Sequence, residues 1–176
     1  MSSPVTVFGL SLATYTTVHV LISLVGIASG LAVLVGLLAG RRLDGWTAMF
    51  LATTAATSLT GFGFPFEHLL PSHIVGVVSL AVLAGASAAR YAFRLRGTWR
   101  HVYVVGAVLA LYLNVFVLVV QAFLKVPALK ALAPRQTEPP FVVSQVVVLV
   151  IFVVLAIAAV VRFRAERMSA PPADAL

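Results

Sequence analysis

Long apolar runs separated by short polar stretches dominate this chain. The first extends from about Tyr15 to Gly40 and is followed by Arg41, Arg42, Leu43, Asp44 and Gly45. A second runs from Trp46 to Phe66, and a third from Pro71 to Phe93, closed by Arg94, Arg96 and Arg100. The fourth covers His101 to Leu124 and the fifth Phe141 to Val161. About 20 apolar residues cross a bilayer as a helix, so the pattern predicts an all-α integral membrane protein. The expected fold is a bundle of five transmembrane helices, one domain over residues 1–167. The remaining residues, 168–176, read as a disordered tail holding two prolines.

Between the fourth and fifth runs lies the one sizeable loop, Lys125 to Pro140. Its Val126, Leu129 and Leu132, interleaved with Lys125 and Lys130, suit a short helix lying flat in the headgroup layer. An ordinary proline-interrupted connector fits the same residues equally well.

Charge then orients the bundle. Arg41, Arg42, Arg90, Arg94, Arg96, Arg100, Arg162, Arg164 and Arg167 fall on one side of a five-span arrangement; Lys125, Lys130 and Arg135 fall on the other. Cytoplasmic loops carry the excess of Lys and Arg, so the N-terminus is expected outside and the C-terminus inside. Trp46, Tyr91, Trp99 and Tyr103 fall at expected interfaces, as aromatic belts do. The first run lacks a positively charged leader, so it reads as a retained span and not a signal peptide.

Composition narrows the chemistry. The chain is 61% hydrophobic and only 10% charged, and it contains no cysteine, which removes disulfides and thiolate metal sites. The formal net charge of +7 reflects topology, not nucleic-acid binding, because the arginines flank apolar runs where anionic lipid is the nearer partner. No nucleophile elbow and no phosphate-cradling glycine loop is present. Small size and composition suggest the inner membrane of a bacterium.

Helix packing in lipid relies on small residues and hydrogen bonds. The first three runs supply Gly26-x-x-x-Gly30, Gly36-x-x-x-Gly40, the Thr/Ser-rich stretch 53–60 and Gly76 to Ala88, so they are expected to form the packed centre. The fifth, almost purely Val, Leu, Ile, Ala and Phe, is expected on the lipid side. Periodicity places His19, Ser23, Gly26 and Gly30 on one helical face. Asn114, Gln121 and Lys125 form a polar stripe that should face the bundle, since exposing amides to lipid is costly.

The stretch Gly61 to Gly76, GFGFPFEHLLPSHIVG, holds His68, His73 and Glu67 in an apolar turn. With His19 near the outer end of the first span, topology brings these groups to one depth. His19, His68, His73 and Glu67 form a metal-ligand set of a type suited to a transition metal. His19 and His73, on different helices, could clamp the iron of a b-type haem, with Gly26, Gly61, Gly63 and Gly76 leaving room for a macrocycle. His68 and Gln121 complete the candidate cofactor residues, and a quinone headgroup could bind at the same depth. In outline the arrangement is similar to small helical-bundle cytochromes b, with no histidine spacing that transfers residue roles. The expected function is electron transfer through such a site. The alternatives are a non-catalytic subunit of a larger membrane complex, or a small proton-coupled carrier using Asn114 and Gln121. His101, beside Arg100, reads as an interfacial residue.

Overall fold

A computed structural model describes residues 6–64 and 71–163, with the side chains of 71 and 72 outside that description. Almost all of it is helical. A two-residue hairpin opens it, with β1 (Thr6–Val7) and β2 (Leu10–Ser11) antiparallel and Thr6 opposite Ser11. Then follow α1 (Leu12–Leu38), α2 (Asp44–Gly61), α3 (Pro71–Ser87), α4 (Trp99–Lys125), α5 (Pro127–Leu132) and α6 (Pro139–Arg162). A π-helical turn, Ala88–Ala92, extends α3. Among the described residues four segments are long and apolar enough to cross a membrane: Leu12–Leu38, His73–Ala92, Trp99–Lys125 and Pro139–Arg162. The protein is therefore of the multi-pass membrane type. Helix α2 is shorter and richer in threonine.

The hairpin was not evident in the sequence. Phe8 and Gly9 both adopt positive φ, 49° and 79°, which suits a two-residue turn matched to strand twist. Its last residue, Ser11, caps α1 by accepting the Thr14 N–H at 3.2 Å. The connector between α4 and α6 contains the short helix α5, opened by Pro127 at a position where the missing N–H costs nothing.

The long helices form a ring. Helix α1 packs on α2, α2 on α3, α3 on α4, and α4 returns to α1; α6 lies outside, against α4 and α1. Thus α4, not the first three spans alone, is the hub. It buries Tyr103, Val104, Ala107, Val108, Ala110 and Leu111, and its Gly106 meets Ala86 of α3 so closely that a Cβ would lie 3.1 Å from the alanine methyl. By contrast, α6 buries only Phe152 and Ala159, as its uniformly apolar composition implied. The α1–α2 seam uses the predicted face: His19, Gly26 and Gly30 all meet α2. Fully buried Phe50 fills the notch at Gly30.

At the start of α6, the Glu138 carboxylate accepts the N–H groups of Arg135 and Thr137 at 3.1 to 3.3 Å. Desolvation pushes its pKa upward, but those backbone donors and the Arg135 charge outweigh it and hold the group below its ordinary value. A depressed carboxylate stabilises the turn above the unfolded pKa and loses that effect as pH falls through the folded one.

Two outcomes follow from this packing. A Cβ at Gly30 would lie 2.7 Å from Leu111 Cδ1 and 2.8 Å from Phe50 Cε2, whereas one at Gly85 meets nothing within 4 Å. Gly30→Ala should lower stability in an SDS-unfolding titration by about 1–3 kcal/mol through overpacking, and Gly85→Ala should leave it unchanged or raise it slightly. Protection factors of the Arg135 and Thr137 amides, taken relative to intrinsic exchange at each pH, should fall as pH drops below the ordinary carboxylate range and hold above it.

Candidate functional site

The hydroxyls of α2 organise the histidine end. In an apolar medium a threonine hydroxyl returns its single proton to a carbonyl of its own helix. Thr60 does so, with Oγ1 2.7 Å from the Ala56 oxygen. Its oxygen therefore has only acceptor capacity left for the His19 Nδ1 atom, 2.8 Å away. With the Thr60 proton assigned to the Ala56 carbonyl, neutral His19 donates from Nδ1 and carries its lone pair on Nε2. Phe64 packs edge-on against the imidazole with centroids 5.1 Å apart, and Cε1 lies 4.0 Å from where a Gly61 Cβ would be. The ring is half-buried and held on both sides.

Tyr15, one turn earlier on α1, donates its hydroxyl to the Thr60 carbonyl at 2.6 Å and packs edge-on against Phe64. That hydroxyl occupies the niche at Gly63, where any Cβ would overlap it. Residues 60 to 64 are thereby tied to α1 by two side chains.

His73 belongs to a different seam. Its ring stacks on Phe62 at 5.6 Å with a 24° interplanar angle and is 5% exposed. Phe62 in turn fills the niche at Gly76, with Cζ 3.0 Å from a Cβ there. Thr60 faces α1 while Phe62, two residues on and still in helical conformation, faces α3. Two helical steps rotate a side chain by about 200°, so α2 stands between His19 and His73. The structure does not bring those two imidazoles to one gap. Of the four glycines expected to leave room for a macrocycle, Gly26, Gly63 and Gly76 have their space filled by Thr53 and Thr54, Tyr15, and Phe62. Glu67 and His68 lie outside the described residues. Among the described residues no three ligating side chains of His, Asp or Glu gather.

The amide stripe on α4 also divides. Asn114 points inward and donates to Thr54 Oγ1 at 3.0 Å. Gln121 and Lys125 are exposed, so the expected inward stripe does not form. Seven residues carry Gln121 about 10 Å beyond Asn114, toward the polar edge, where the amide need not be hidden. The amides that do reach α4 come from elsewhere: Gln136 donates to the Val120 carbonyl at 2.9 Å and Gln145 to that of Phe116 at 3.3 Å.

Sequence reasoning missed a cluster at the arginine end. Arg90, in the π-helical turn, is buried and pairs with the exposed carboxylate of Asp44 in the first turn of α2. Its guanidinium also lies 5.1 Å from the centre of the Tyr103 ring, a cation–π distance. The Tyr103 hydroxyl is 3.1 Å from that of Thr47, and both residues are buried. The available signal was Asp44, the one acid among the arginine-end loops between the apolar runs. Arg100 donates to the Phe163 carbonyl at 2.7 Å, closing α6, and to His101 Nε2 at 2.8 Å. His101 is thus an interfacial acceptor among arginines.

Removing the Asp44 charge leaves a buried guanidinium facing the Tyr91 and Tyr103 rings without a counter-charge among the described residues. Fully buried pairs lose several kcal/mol on such a change, and the exposure of Asp44 reduces that. Asp44→Asn should cost about 1–2 kcal/mol in detergent unfolding, against less than about 0.5 for Arg42→Gln at an exposed position. Comparison of the chain with protein-family models, with curated proteins and with solved structures finds no match in any of the three.

Proposed function

We propose that this chain is a five-span electron-transfer protein of a bacterial inner membrane, with its N-terminus outside and its C-terminus in the cytoplasm, and that His19 is its working ligand. Support for five spans comes from α2, which packs between α1 and α3 and bonds the hydroxyls of Thr53 and Thr60 to its own backbone. Support for the orientation comes from Arg41, Arg42, Arg90, Arg94, Arg96, Arg100 and Arg162 sharing one end.

The observation that carries the functional reading is the fixed imidazole. With its own proton on the Ala56 carbonyl, Thr60 accepts the hydrogen bond of Nδ1–H, and the Nε2 lone pair of His19 has no partner among the described residues. That is the protein half of a histidine–metal unit, in which a second residue sets tautomer and ring angle. His19 lies about 10 Å along α1, which at 27 residues is about 40 Å long against a hydrocarbon core of about 30 Å. The nitrogen therefore stands near the outer edge of the apolar layer, at quinone-headgroup depth. A transition metal or haem iron supplies one-electron chemistry when bound; a quinone is the fitting redox partner. With α2 between His19 and His73, the arrangement fits a single-imidazole ligand better than a two-histidine clamp. In the same reading, Tyr15 and Phe64 are positioning residues that hold the ring.

A second reading, a non-catalytic subunit of a larger membrane complex, is favoured by one observation: the bundle's own side chains fill the notches at Gly26, Gly30, Gly63 and Gly76.

The purified protein, extracted in mild detergent, separates these. The expected result is stoichiometric iron or copper with a visible absorption band that disappears in His19→Ala. Thr60→Val should weaken metal retention by about 10–100-fold while keeping the fold. A colourless preparation without stoichiometric iron, copper or zinc would remove the redox reading, and stoichiometric co-purifying subunits would then establish the second.

A further inference from the structure

The turn joining α3 to α4 has a feature that the His19 reading does not use. Four arginines lie in or beside it, and two of them are engaged: Arg90 by Asp44, and Arg100 by the Phe163 carbonyl and His101. Arg94 and Arg96 are exposed, with no carboxylate partner among the described residues. Between them opens a recess of about 460 Å³ lined by Ala92, Phe93, Arg94, Arg96 and Trp99. Its wall is a flat stack, Phe93 on Trp99, with ring centroids 3.7 Å apart and planes 6° from parallel.

The turn holds this shape from within. Arg94, Leu95 and Gly97 adopt positive φ of 50°, 59° and 53°, a conformation that costs a non-glycine residue about 1 kcal/mol or more. It is held by Leu95, which is 3% exposed and donates its N–H to the Ala89 carbonyl at 2.9 Å. Further bonds run from the Arg96 N–H to Phe93 and from the Trp99 N–H to Arg96, both at 3.1 Å. Two exposed arginines thus rise from a fixed backbone and line one recess together with an aromatic wall.

Depth identifies what meets them. Trp99 begins a 27-residue helix about 40 Å long. Centred in a bilayer, that helix places Trp99 about 20 Å from the midplane, inside the headgroup layer and beyond a hydrocarbon half-thickness of about 15 Å. The geometry points to a phosphate-binding site occupied by the headgroup of an anionic phospholipid, with Arg94 and Arg96 as the ligands and the Phe93–Trp99 stack against the glycerol and upper acyl carbons. Guanidinium forks match phosphate oxygens in pairs, and a stacked indole tolerates one wet and one apolar neighbour. A zwitterionic lipid binds more weakly because its own cation opposes the arginines. This assignment needs only membrane insertion, so it stands or falls separately from His19.

The full chain, reconstituted with phosphatidylcholine containing phosphatidylglycerol and released for native mass spectrometry, should retain one phosphatidylglycerol. The double variant Arg94→Gln/Arg96→Gln should lower that affinity by about 30-fold, a factor of about five for each arginine near an anionic surface. Arg41→Gln/Arg42→Gln removes the same charge from the same end and should retain the lipid. Equal loss in both double variants would reduce the effect to bulk charge and overturn the site, as would retention in both. Displacement of the lipid by millimolar inorganic phosphate would overturn the lipid as occupant and assign the arginines to a soluble phosphate.

Discussion

A hydroxyl has one proton, and in lipid there is no water to supply a second. That restriction shapes the interior of this bundle. Helix α2 carries Thr53, Thr54, Thr57, Ser58 and Thr60 within two turns and a half, a density of polar groups that apolar neighbours cannot satisfy. Thr53 and Thr60 return their protons to Met49 and Ala56, each at 2.7 Å. Hydroxyl oxygens on this helix also accept donors from other helices. Asn114 of α4 comes to Thr54 and His19 of α1 to Thr60. The inward turn of one amide and the orientation of one histidine thus answer hydroxyl oxygens on α2, while Thr57 Oγ1 is buried with no hydrogen-bond partner among the described residues.

Close approach makes those bonds possible. Gly26 lies against Thr53 and Thr54, and Gly30 against Phe50, so the α1 and α2 backbones sit near enough for short side chains to reach across. On the other side of α2, Ser58 and Ser79 oxygens are 3.1 Å apart and Phe62 lies over Gly76. The glycines serve contact between helices. A cofactor slot made from them would have to displace Tyr15, Phe62 or Phe50, each of which contributes packing that lipid tails do not replace.

The spans were legible because length and apolarity are set by the bilayer and leave an unmistakable trace; α1, α3, α4 and α6 begin and end within a few residues of the apolar runs. The hub was not. Helix α4 has a single glycine and packs through Ala107, Ala110, Val104 and Val108, residues that also suit a lipid-facing surface, so their burial is fixed only by which helices surround them. Gln121 was misplaced for a related reason: periodicity gives a face, while the level at which a face leaves the apolar layer decides whether an amide must be hidden. The opening hairpin escaped notice because Phe8 occupies a left-handed position usually held by Asn or Gly. The separation of His19 from His73 depends on Thr60 and Phe62 facing opposite sides of α2, which sequence spacing shows only once both neighbours of α2 are known.

The two ends of the bundle hold their ionisable groups in opposite ways. At the arginine end Arg90 is fully engaged by a carboxylate, an aromatic face and burial, which makes it a fastening between α2, α3 and α4. At the other end Thr60 requires only one donor, and an asparagine or glutamine at residue 19 would supply it. An imidazole in that role brings a second nitrogen that the fastening does not use, and its bond to Thr60 puts the lone pair on that nitrogen. An acceptor without a partner near the apolar layer costs about 1–3 kcal/mol where water is excluded. Packing accounts for the ring, which Phe64 meets edge-on, but not for its second nitrogen, which only a donor or ligand meeting Nε2 would use.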